Sequence, residues 1–190
     1  MFRRRQGGGE PVQPGGPGGP MGPQGGGGGG GRYRMRQKLV SFGDDYWIEN
    51  GLGQRVYFVD GKAFRLREHL GFKDMQGNEL AAIQEKVMHI KDTYSIYRNG
   101  QVLATVKKAL ITPLRQRFDV HVAGGENLEA QGNILDHEYE IHAGRQRVAE
   151  VSKKWFRVAD TYGVDIAPGS DDILILAITA VIDMMVDEGR

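Results

Sequence analysis

The 190-residue chain contains no cysteine, and this absence removes several kinds of chemistry at once. Disulfide bonds, thiol catalysis, zinc sites built from thiolates and palmitoylation all require that residue. The chain also lacks a long apolar segment, since its longest such run, residues 173–182, falls short of the ~18 to 20 residues that span a bilayer. Arg3, Arg4 and Arg5 are followed by glycine and proline instead of an apolar stretch, so no signal peptide is predicted. We therefore expect a cytoplasmic protein.

Familiar catalytic motifs are missing as well. The sequence has no Gly-x-Ser-x-Gly, no phosphate-binding loop ending in Gly-Lys-Ser/Thr and no His-Glu-x-x-His. His137 and His142 lie five residues apart on a predicted strand, so they point to opposite faces and cannot chelate one ion, while His121 alternates with valines and faces outward. We expect scattered surface or turn histidines, and we predict no catalytic residue, no metal site and no cofactor.

The segment Asp136-His137-Glu138 allows two interpretations. Its residue types suit acid–base catalysis, but no nucleophile is placed near them in the sequence. The segment follows Gly132-Asn133 and precedes a predicted strand, where Asp136 is expected to hydrogen-bond nearby backbone amides. We favour the turn.

Glycine and proline are concentrated at the N-terminus. Residues 1–31 hold 15 of the 29 glycines and 5 of the 7 prolines, with almost no aliphatic side chains. Such a segment cannot offset its ordering entropy, so we predict a disordered tail over residues 1–31 and one domain over residues 32–190. Met21 or Met35 could also begin a chain that retains the domain.

The formal net charge of +1 hides an asymmetry, because residues 1–38 carry +6 and residues 39–190 carry −5. We interpret the basic arm as a solubilising tail. The alternative is contact with anionic lipid, nucleic acid or its own domain.

Turn signals recur every 8 to 12 residues or so after residue 37, which is typical of a β-sandwich or β-barrel. They lie at residues 49–51, 60–61, 76–78, 99–100, 124–126 and 143–144. Asn99-Gly100 and Asp60-Gly61 suit the positive φ angles of type I′ hairpin turns. Residues 56–59 are apolar on both faces, which favours a closed up-and-down barrel with a filled interior over an open sheet.

A weak internal repeat has a period of 45 residues. Six residues from Tyr94 to Lys108 recur between Tyr139 and Lys153. We interpret the unit as a repeated hairpin within one meander, with chance similarity between hairpins as the alternative.

The chain ends in a predicted helix. Pro168-Gly169 ends the preceding strand pattern, and Ser170 is a suitable N-cap. Asp171 and Asp172 fall in the first turn, where the helix dipole favours anions. Residues 173–182 are apolar on all sides, so this helix belongs in the core. Burying its large aliphatic side chains contributes on the order of 10 to 20 kcal/mol, an upper estimate.

Several segments together resemble the LURP-one-related proteins of the tubby C-terminal-like superfamily, and in particular their bacterial branch. The matching segments are residues 33–38 (YRMRQK), 42–46 (FGDDY), 132–139 (GNILDHEY), 151–155 (VSKKW) and 160–164 (DTYGV), followed by the C-terminal aliphatic segment. The resemblance implies a mainly β fold, namely a closed antiparallel barrel of about twelve strands that encloses one apolar C-terminal helix.

This resemblance does not supply an active site. Members of the bacterial branch mostly lack a defined activity, and the basic positions with which tubby proteins recognise phosphoinositides have no residue-by-residue match here. Phospholipid scramblases, which belong to the same superfamily, carry cysteines for acylation and a calcium-associated segment. This chain has no cysteine and no EF-hand loop, so lipid transport is not implied.

Basic residues are the remaining candidates for a binding site. Two lysine pairs fall within the internal repeat, with arginines, among them Arg157, nearby in sequence, and they are candidates for binding a lipid headgroup. The candidate residues are Lys107, Lys108, Arg115, Arg117, Lys153 and Lys154. The alternative is that they are ordinary solvated charges, because adjacent residues on a strand point to opposite faces. Trp155 and Phe156 are either an interfacial anchor or part of the barrel filling.

Two functional hypotheses follow. The first is a non-catalytic binding module that recognises anionic phospholipid headgroups at a membrane surface, helped by the arm at residues 32–38. The second is a structural or protein-interaction scaffold without a small ligand, in which the tail binds a protein partner. We do not expect a nucleic-acid partner or a transmembrane segment, and an enzyme of unrecognised type is the least supported alternative.

Overall fold

The computed structural model describes residues 29–36, 46–60, 69–85, 93–109, 116–156 and 161–188. Within these ranges the chain forms twelve β-strands followed by one α-helix, α1 (Asp172–Glu188). The strands are β1 (Gly31–Arg36), β2 (Tyr46–Asn50), β3 (Arg55–Asp60), β4 (His69–Lys73), β5 (Glu79–Glu85), β6 (Thr93–Arg98), β7 (Gln101–Lys108), β8 (Gln116–Val122), β9 (Leu128–Asn133), β10 (Glu138–Ala143), β11 (Gln146–Ser152) and β12 (Thr161–Ile166). Single 3₁₀ turns, Ile134–Asp136 and Lys153–Trp155, follow β9 and β11.

The twelve strands close into one barrel. Each strand pairs antiparallel with its neighbours in sequence, and β1 completes the circle by pairing with both β2 and β12. The predicted mainly β fold, a closed antiparallel barrel around the C-terminal helix, is confirmed.

Helix α1 fills the barrel interior. Its side chains from Leu174 to Val186 are buried and belong to the same apolar core as the inward residues of the strands. The inward and outward residues alternate with period two, as Phe118 and Val120 on β8 illustrate, so each strand gives one face to the helix and the other to the surface.

Because all neighbours are antiparallel, the barrel has two distinct ends. The turns of the five hairpins β2–β3, β4–β5, β6–β7, β8–β9 and β10–β11 lie at one end, where α1 also begins, and we name it the hairpin end. The two 3₁₀ turns lie at the opposite end. Asn99 (φ 52°) and Gly100 (φ 74°) at the β6–β7 turn have the positive φ angles predicted for a type I′ turn. The other predicted type I′ turn, Asp60-Gly61, is not the tight turn of a hairpin, because Val59 pairs with Phe72 of β4 and Asp60 pairs with Gly71; Gly61 itself lies outside the described residues.

The internal repeat corresponds to two hairpins of matching register. In β6–β7, Tyr94 pairs with Val106 and Ile96 with Ala104, and the register shifts directly after Ile96. In β10–β11, Tyr139 pairs with Val151, Ile141 pairs with Ala149, and the register shifts directly after Ile141. The predicted repeated hairpin is therefore confirmed, and both copies also have a register shift at the equivalent position, which the sequence did not predict.

The helix begins one residue later than the sequence suggested. Asp171, and not Ser170, is the N-cap: its Oδ1 accepts a hydrogen bond from the backbone N–H of Leu174 (3.1 Å), and its carbonyl accepts one from Ile175 (3.0 Å). Ser170 instead closes the preceding turn, where its N–H donates to the carbonyl of Ala167 (3.2 Å). The carboxylate of Asp171 also binds both terminal nitrogens of Arg98 on β6, at 2.6 and 2.9 Å.

Two glycines that the sequence assigned to the tail pack against the start of the helix and the turn before it, and a third begins β1. The carbonyl of Gly29 accepts a hydrogen bond from Gly169 (2.7 Å), and a Cβ atom at Gly29 would lie 2.6 Å from Oδ1 of Asp172. Gly30 has φ 143° and would clash with Pro168 if it carried a side chain, and Gly31 begins β1. The barrel wall therefore begins at Gly31, and residues 1–28 of the predicted tail lie outside the described residues.

Replacing Leu176 with alanine tests the contribution of the enclosed helix. Leu176 is fully buried, so its truncation leaves a cavity inside the barrel, and we expect the free energy of unfolding to fall by about 2 to 5 kcal/mol. Denaturant unfolding measures this change. The matched control is Ile173→Ala on the same helix, where the side chain is only partly buried and the loss should be smaller. An equal loss of unfolding free energy in the two variants would contradict the complete burial of Leu176 inside the barrel.

Acid titration tests the cap at Asp171. Burial opposes ionisation of this carboxyl, but the hydrogen bonds from Arg98 and Leu174 outweigh burial and hold the pKa of Asp171 below its usual value. The resulting stabilisation is present above the unfolded pKa of about 3.9 and is lost as the pH falls through the lower folded pKa. We expect Asp171→Asn to weaken the loss of stability on acidification below about pH 4, as measured by urea unfolding across pH. In an Arg98→Met background the same substitution should have a smaller effect, and an unchanged acid profile in both backgrounds would rule out the cap.

Candidate ligand-binding surface

Strand β1 directs three arginines away from the core. Tyr33 and Met35 point inward and are buried, so Arg32, Arg34 and Arg36 point outward. Two of these side chains are held by carboxylates on the neighbouring strands: Arg32 binds Asp165 of β12 at 3.2 Å, and Arg34 binds Glu49 of β2.

Two aromatic rings cover the wall next to these arginines. The guanidinium of Arg32 lies 4.6 Å from the ring centroid of Trp155, and that of Arg34 lies 5.8 Å from the ring centroid of Phe156. Both distances are within the range of cation–π attraction, which contributes ~0.5 to 1 kcal/mol at exposed sites. The rings rest on Gly163 of β12, because a Cβ atom there would lie 2.6 Å from the Trp155 ring and 2.9 Å from the Phe156 ring. Trp155 and Phe156 therefore lie on the outside of the barrel and do not fill it.

These groups form a single outward-facing region, which we name the arginine–aromatic surface. It comprises Arg32, Arg34, Arg36, Lys153, Lys154, Trp155 and Phe156. Three carboxylates, Asp165, Glu49 and Glu138, pair with three of its five cations. Arg36 and Lys153 form no ion pair within the described ranges, so the described residues of this surface have two more cations than paired carboxylates.

The second tryptophan, Trp47, lies on the outer wall on the other side of β1 from Trp155. Trp47 on β2 packs against Phe58 on β3 with 4.8 Å between ring centroids, and the guanidinium of Arg55 lies 5.3 Å from the Trp47 ring. Both tryptophans of the chain thus lie on the outer wall, on either side of β1 and each beneath an arginine.

Lys153 and Lys154 do not occupy a strand, contrary to the sequence interpretation. The carboxylate of Glu138 accepts hydrogen bonds from the Ser152 hydroxyl (3.0 Å) and from the backbone N–H of Lys153 (3.2 Å), which ends β11 and starts a 3₁₀ turn. Lys154 then reaches back to Glu138 (3.1 Å) but stays mostly exposed. This turn places Trp155 over β12, next to β1.

The structure keeps the other lysine pair away from this surface. Lys107 points outward on β7, opposite Asp119 of β8, whereas Lys108 lies on the inward-facing side at the end of the strand. Strands β8, β9 and β10 separate the two pairs, which places them about 19 Å apart along the wall. The pairs therefore do not form one patch, and Arg115 and Arg157 lie outside the described residues.

Arg117 belongs to an acidic part of the barrel. It binds Asp119 (3.2 Å) and Glu129 (3.6 Å), while Arg147 binds Glu140 (3.0 Å) and Glu150 (2.8 Å). We name these six residues on β8 to β11 the acidic wall. Its four carboxylates share two arginines, so the barrel is negative on this wall and positive on the arginine–aromatic surface.

His137 differs from the expected surface histidine. It lies in a turn, as predicted, but in the left-handed conformation (φ 53°, ψ 44°) that buries its ring beside α1. Its Nε2 lies 2.6 Å from the Asp183 carboxylate of the helix, and its ring packs 4.5 Å from the Tyr162 ring. Burial, reinforced by Asp183, also raises the pKa of the neighbouring Tyr139 hydroxyl well above its usual value. The pair is enclosed, so it ties the helix to the barrel wall without access for a substrate.

The remaining candidates for acid–base or metal chemistry are dispersed. Asp136 accepts a hydrogen bond from the Asn133 side chain (2.7 Å) instead of from backbone amides. His121 and His142 both line a depression of about 400 Å³ on the acidic wall. Across the described parts of the chain, no three His, Cys, Asp or Glu side chains are grouped so that they could hold a metal ion.

Two features of this surface have a signal in the sequence. Arginine alternates with buried residue types from Arg32 to Arg36, which is the pattern of an outward basic strand. Gly163 interrupts an apolar strand, which often marks the close approach of another group. The pairing of Arg32 with Trp155, in contrast, depends on barrel closure and has no local signal.

Substitution of Gly163 tests whether Trp155 and Phe156 pack on β12. Its φ angle is not positive, so alanine fits the backbone, but the added Cβ must displace Trp155 and Phe156. In a Trp47→Phe background, where Trp155 is the sole tryptophan, we expect Gly163→Ala to red-shift the emission and increase quenching by iodide. Gly71→Ala is the matched control, because the nearest contacts of a Cβ there include no tryptophan or phenylalanine ring and come no closer than 3.3 Å, from the Glu79 side chain. Identical spectra for the two variants would mean that Trp155 does not rest on β12.

None of the helices in the described ranges has both the length and the apolar character that crossing a membrane requires.

Comparison with known proteins agrees with this architecture. Residues 32–183 match the family model described as LURP-one-related. The uncharacterised protein YxjI of Bacillus subtilis (strain 168) is 32% identical over 151 residues, which cover 80% of this chain and 91% of that protein. A protein of Arabidopsis thaliana solved by X-ray crystallography has the same fold at 18% identity, with a TM-score of 0.57, covering 84% of this chain and 92% of that one. The barrel and its central helix therefore belong to a member of the LURP-one-related family, which has the tubby C-terminal-like fold.

Proposed function

We propose that this protein is a non-catalytic binding module whose arginine–aromatic surface docks on anionic phospholipid headgroups at the cytoplasmic face of a membrane. The observation that carries the proposal is the stacking of Arg32 and Arg34 on Trp155 and Phe156. A guanidinium held against a ring keeps its N–H groups oriented, so less side-chain entropy is lost when it binds a phosphate.

The charges support docking of modest strength. A basic residue near an anionic membrane contributes about 1 kcal/mol, and the surface has an excess of two cations over carboxylates. Asp165 and Glu49 neutralise their arginines in the free protein, but both pairs are partly exposed, so phosphate groups can compete for the arginines. Binding should therefore weaken steeply as ionic strength rises.

The distribution of charge around the barrel favours a single orientation. The acidic wall on β8 to β11 would be repelled by an anionic membrane, whereas β1 and the turn at Lys153–Trp155 would be attracted. Aromatic side chains with an apolar body and a polar edge are favoured at the membrane–water interface, which suits Trp155.

Of the residues predicted from the sequence, Lys153 and Lys154 belong to this proposed site. Lys107, Lys108 and Arg117 do not, because they lie four strands away or are paired within the acidic wall.

Vesicle co-sedimentation across a series of salt concentrations tests the proposal. We expect binding to vesicles that contain phosphatidylserine at low ionic strength, little binding to pure phosphatidylcholine, and a loss of roughly tenfold or more in affinity for the double variant Arg32→Gln, Arg34→Gln. The double variant Lys107→Gln, Lys108→Gln removes the same charge elsewhere and should bind almost as well as the wild type.

Two outcomes would overturn the proposal. One is equal, low binding of the wild type to both kinds of vesicle at low ionic strength, which would favour the alternative of a protein-interaction scaffold without a small ligand. The other is an equal loss of binding in the two double variants, which would indicate attraction by overall charge without a defined surface.

A further inference from the structure

Exposed apolar side chains are found at three neighbouring turns of the hairpin end. Leu52 in the β2–β3 turn is 83% exposed, Met75 in the β4–β5 turn 46%, and Val102 beside the β6–β7 turn 44%. These three hairpins follow one another around the barrel, so the side chains are spaced by about 10 Å, the width of two strands.

The first two turns share one rigid construction. In each, the side chain of the first residue accepts hydrogen bonds from the backbone N–H groups two and four residues later. Asn50 accepts from Leu52 and Gln54 at 3.0 Å, and Asp74 accepts from Gln76 at 2.9 Å and from Asn78 at 2.8 Å. In both turns the fourth residue is a glycine with positive φ, Gly53 (76°) and Gly77 (87°).

This construction explains the shape of the turns but not their apolar residues. The hydrogen bonds that hold the turns come from Asn50, Asp74 and the backbone, and hydrogen bonding to Asn78 and the turn amides lowers the pKa of the exposed Asp74 carboxyl. Leu52 and Met75 are exposed and do not belong to the barrel core. They are nevertheless held in fixed positions at the tips, which reduces the entropy lost when a partner binds them.

The first tip adjoins the arginine–aromatic surface. A Cβ atom at Gly51 would lie 3.5 Å from the backbone oxygen of Arg32 and 3.7 Å from its Cβ atom, so the turn that carries Leu52 packs directly against β1. A flat partner that contacts Arg32 therefore also meets Leu52. The hairpin turn of the acidic wall, which carries Glu126, lies on another part of this end.

The spacing of the apolar side chains at the hairpin end favours a lipid bilayer over a protein as the partner. Protein interfaces need a continuous, well-packed apolar centre, whereas here polar turn residues such as Gln54 and Gln76 lie between single apolar side chains. A lipid bilayer accommodates each side chain separately, because its acyl chains are fluid and close around any apolar group that enters. The adjacent cations require that this bilayer be anionic.

We propose that Leu52 and Met75 insert into an anionic bilayer as apolar anchors, while Arg32 and Arg34 bind the headgroups above them. This inference rests on the proposed function, and it adds a contribution that salt does not screen. The transfer of apolar surface out of water is insensitive to ionic strength on the scale at which ion pairs are screened.

The absence of cysteine makes a direct test available. Leu52→Cys, labelled with an environment-sensitive fluorophore such as bimane, has no competing thiol, and Leu135→Cys supplies a matched control. Leu135 is 43% exposed in the 3₁₀ turn at the opposite end of the barrel. On vesicles that contain phosphatidylserine, we expect a blue shift and quenching by brominated acyl chains at position 52 and neither effect at position 135.

A second measurement, with unlabelled variants, tests insertion even if the fluorophore disturbs binding to the membrane. Leu52→Gln combined with Met75→Gln preserves the turn hydrogen bonds and should weaken vesicle binding about tenfold at both low and high ionic strength. Leu135→Gln should leave binding unchanged.

The outcomes separate this inference from the function on which it depends. Salt-sensitive vesicle binding without a spectral change at position 52, or without an effect of the glutamine variants, would overturn insertion and leave headgroup docking intact. Failure of the wild type to bind vesicles would overturn both. A spectral change that appears without lipid as protein concentration rises would assign the tips to contact with a second copy of the chain and would overturn insertion.

Discussion

Helix α1 has no polar face over most of its length, and this constraint determines the architecture around it. A helix that is apolar on all sides cannot lie on the surface, and a single open sheet would cover only one of its sides. Twelve strands that close through the pairing of β1 with β12 cover all of them. The one ionisable side chain within the buried part of the helix, Asp183, meets His137 from the wall, so even this group is enclosed without being left unpaired.

The enclosure also decides where recognition can occur. Within the described ranges α1 fills the interior of the barrel, so the outward faces of the strands and the turns at their ends are the surfaces open to a ligand. In the proposed binding mode, Arg32 and Arg34 contact the membrane from the outward face of β1, and Leu52 contacts it from a turn. A rigid scaffold beneath them keeps the two kinds of group in a fixed relation.

Sequence reasoning succeeded where the signal was local and failed where it depended on closure. The apolar run 173–182, the Asn99-Gly100 turn and the 45-residue repeat are each visible in the sequence without knowledge of barrel closure, and they predicted the helix, a turn type and a repeated hairpin. The proximity of Arg32 to Trp155 requires two segments more than a hundred residues apart to meet, and that of His137 to Asp183 spans 46 positions. The lysine pairs were equivalent in the repeat, yet three intervening strands keep them apart.

Closure through the first and last strands has a consequence for the synthesis of the protein. Arg32 and its partner Asp165 are 133 positions apart, and α1 follows β12 in the chain. While the ribosome is still adding residues, β1 has only one neighbour and the wall has nothing to enclose. Until β12 and α1 have been synthesised, the nascent chain therefore presents up to eleven strands with open sheet edges, which are prone to aggregation.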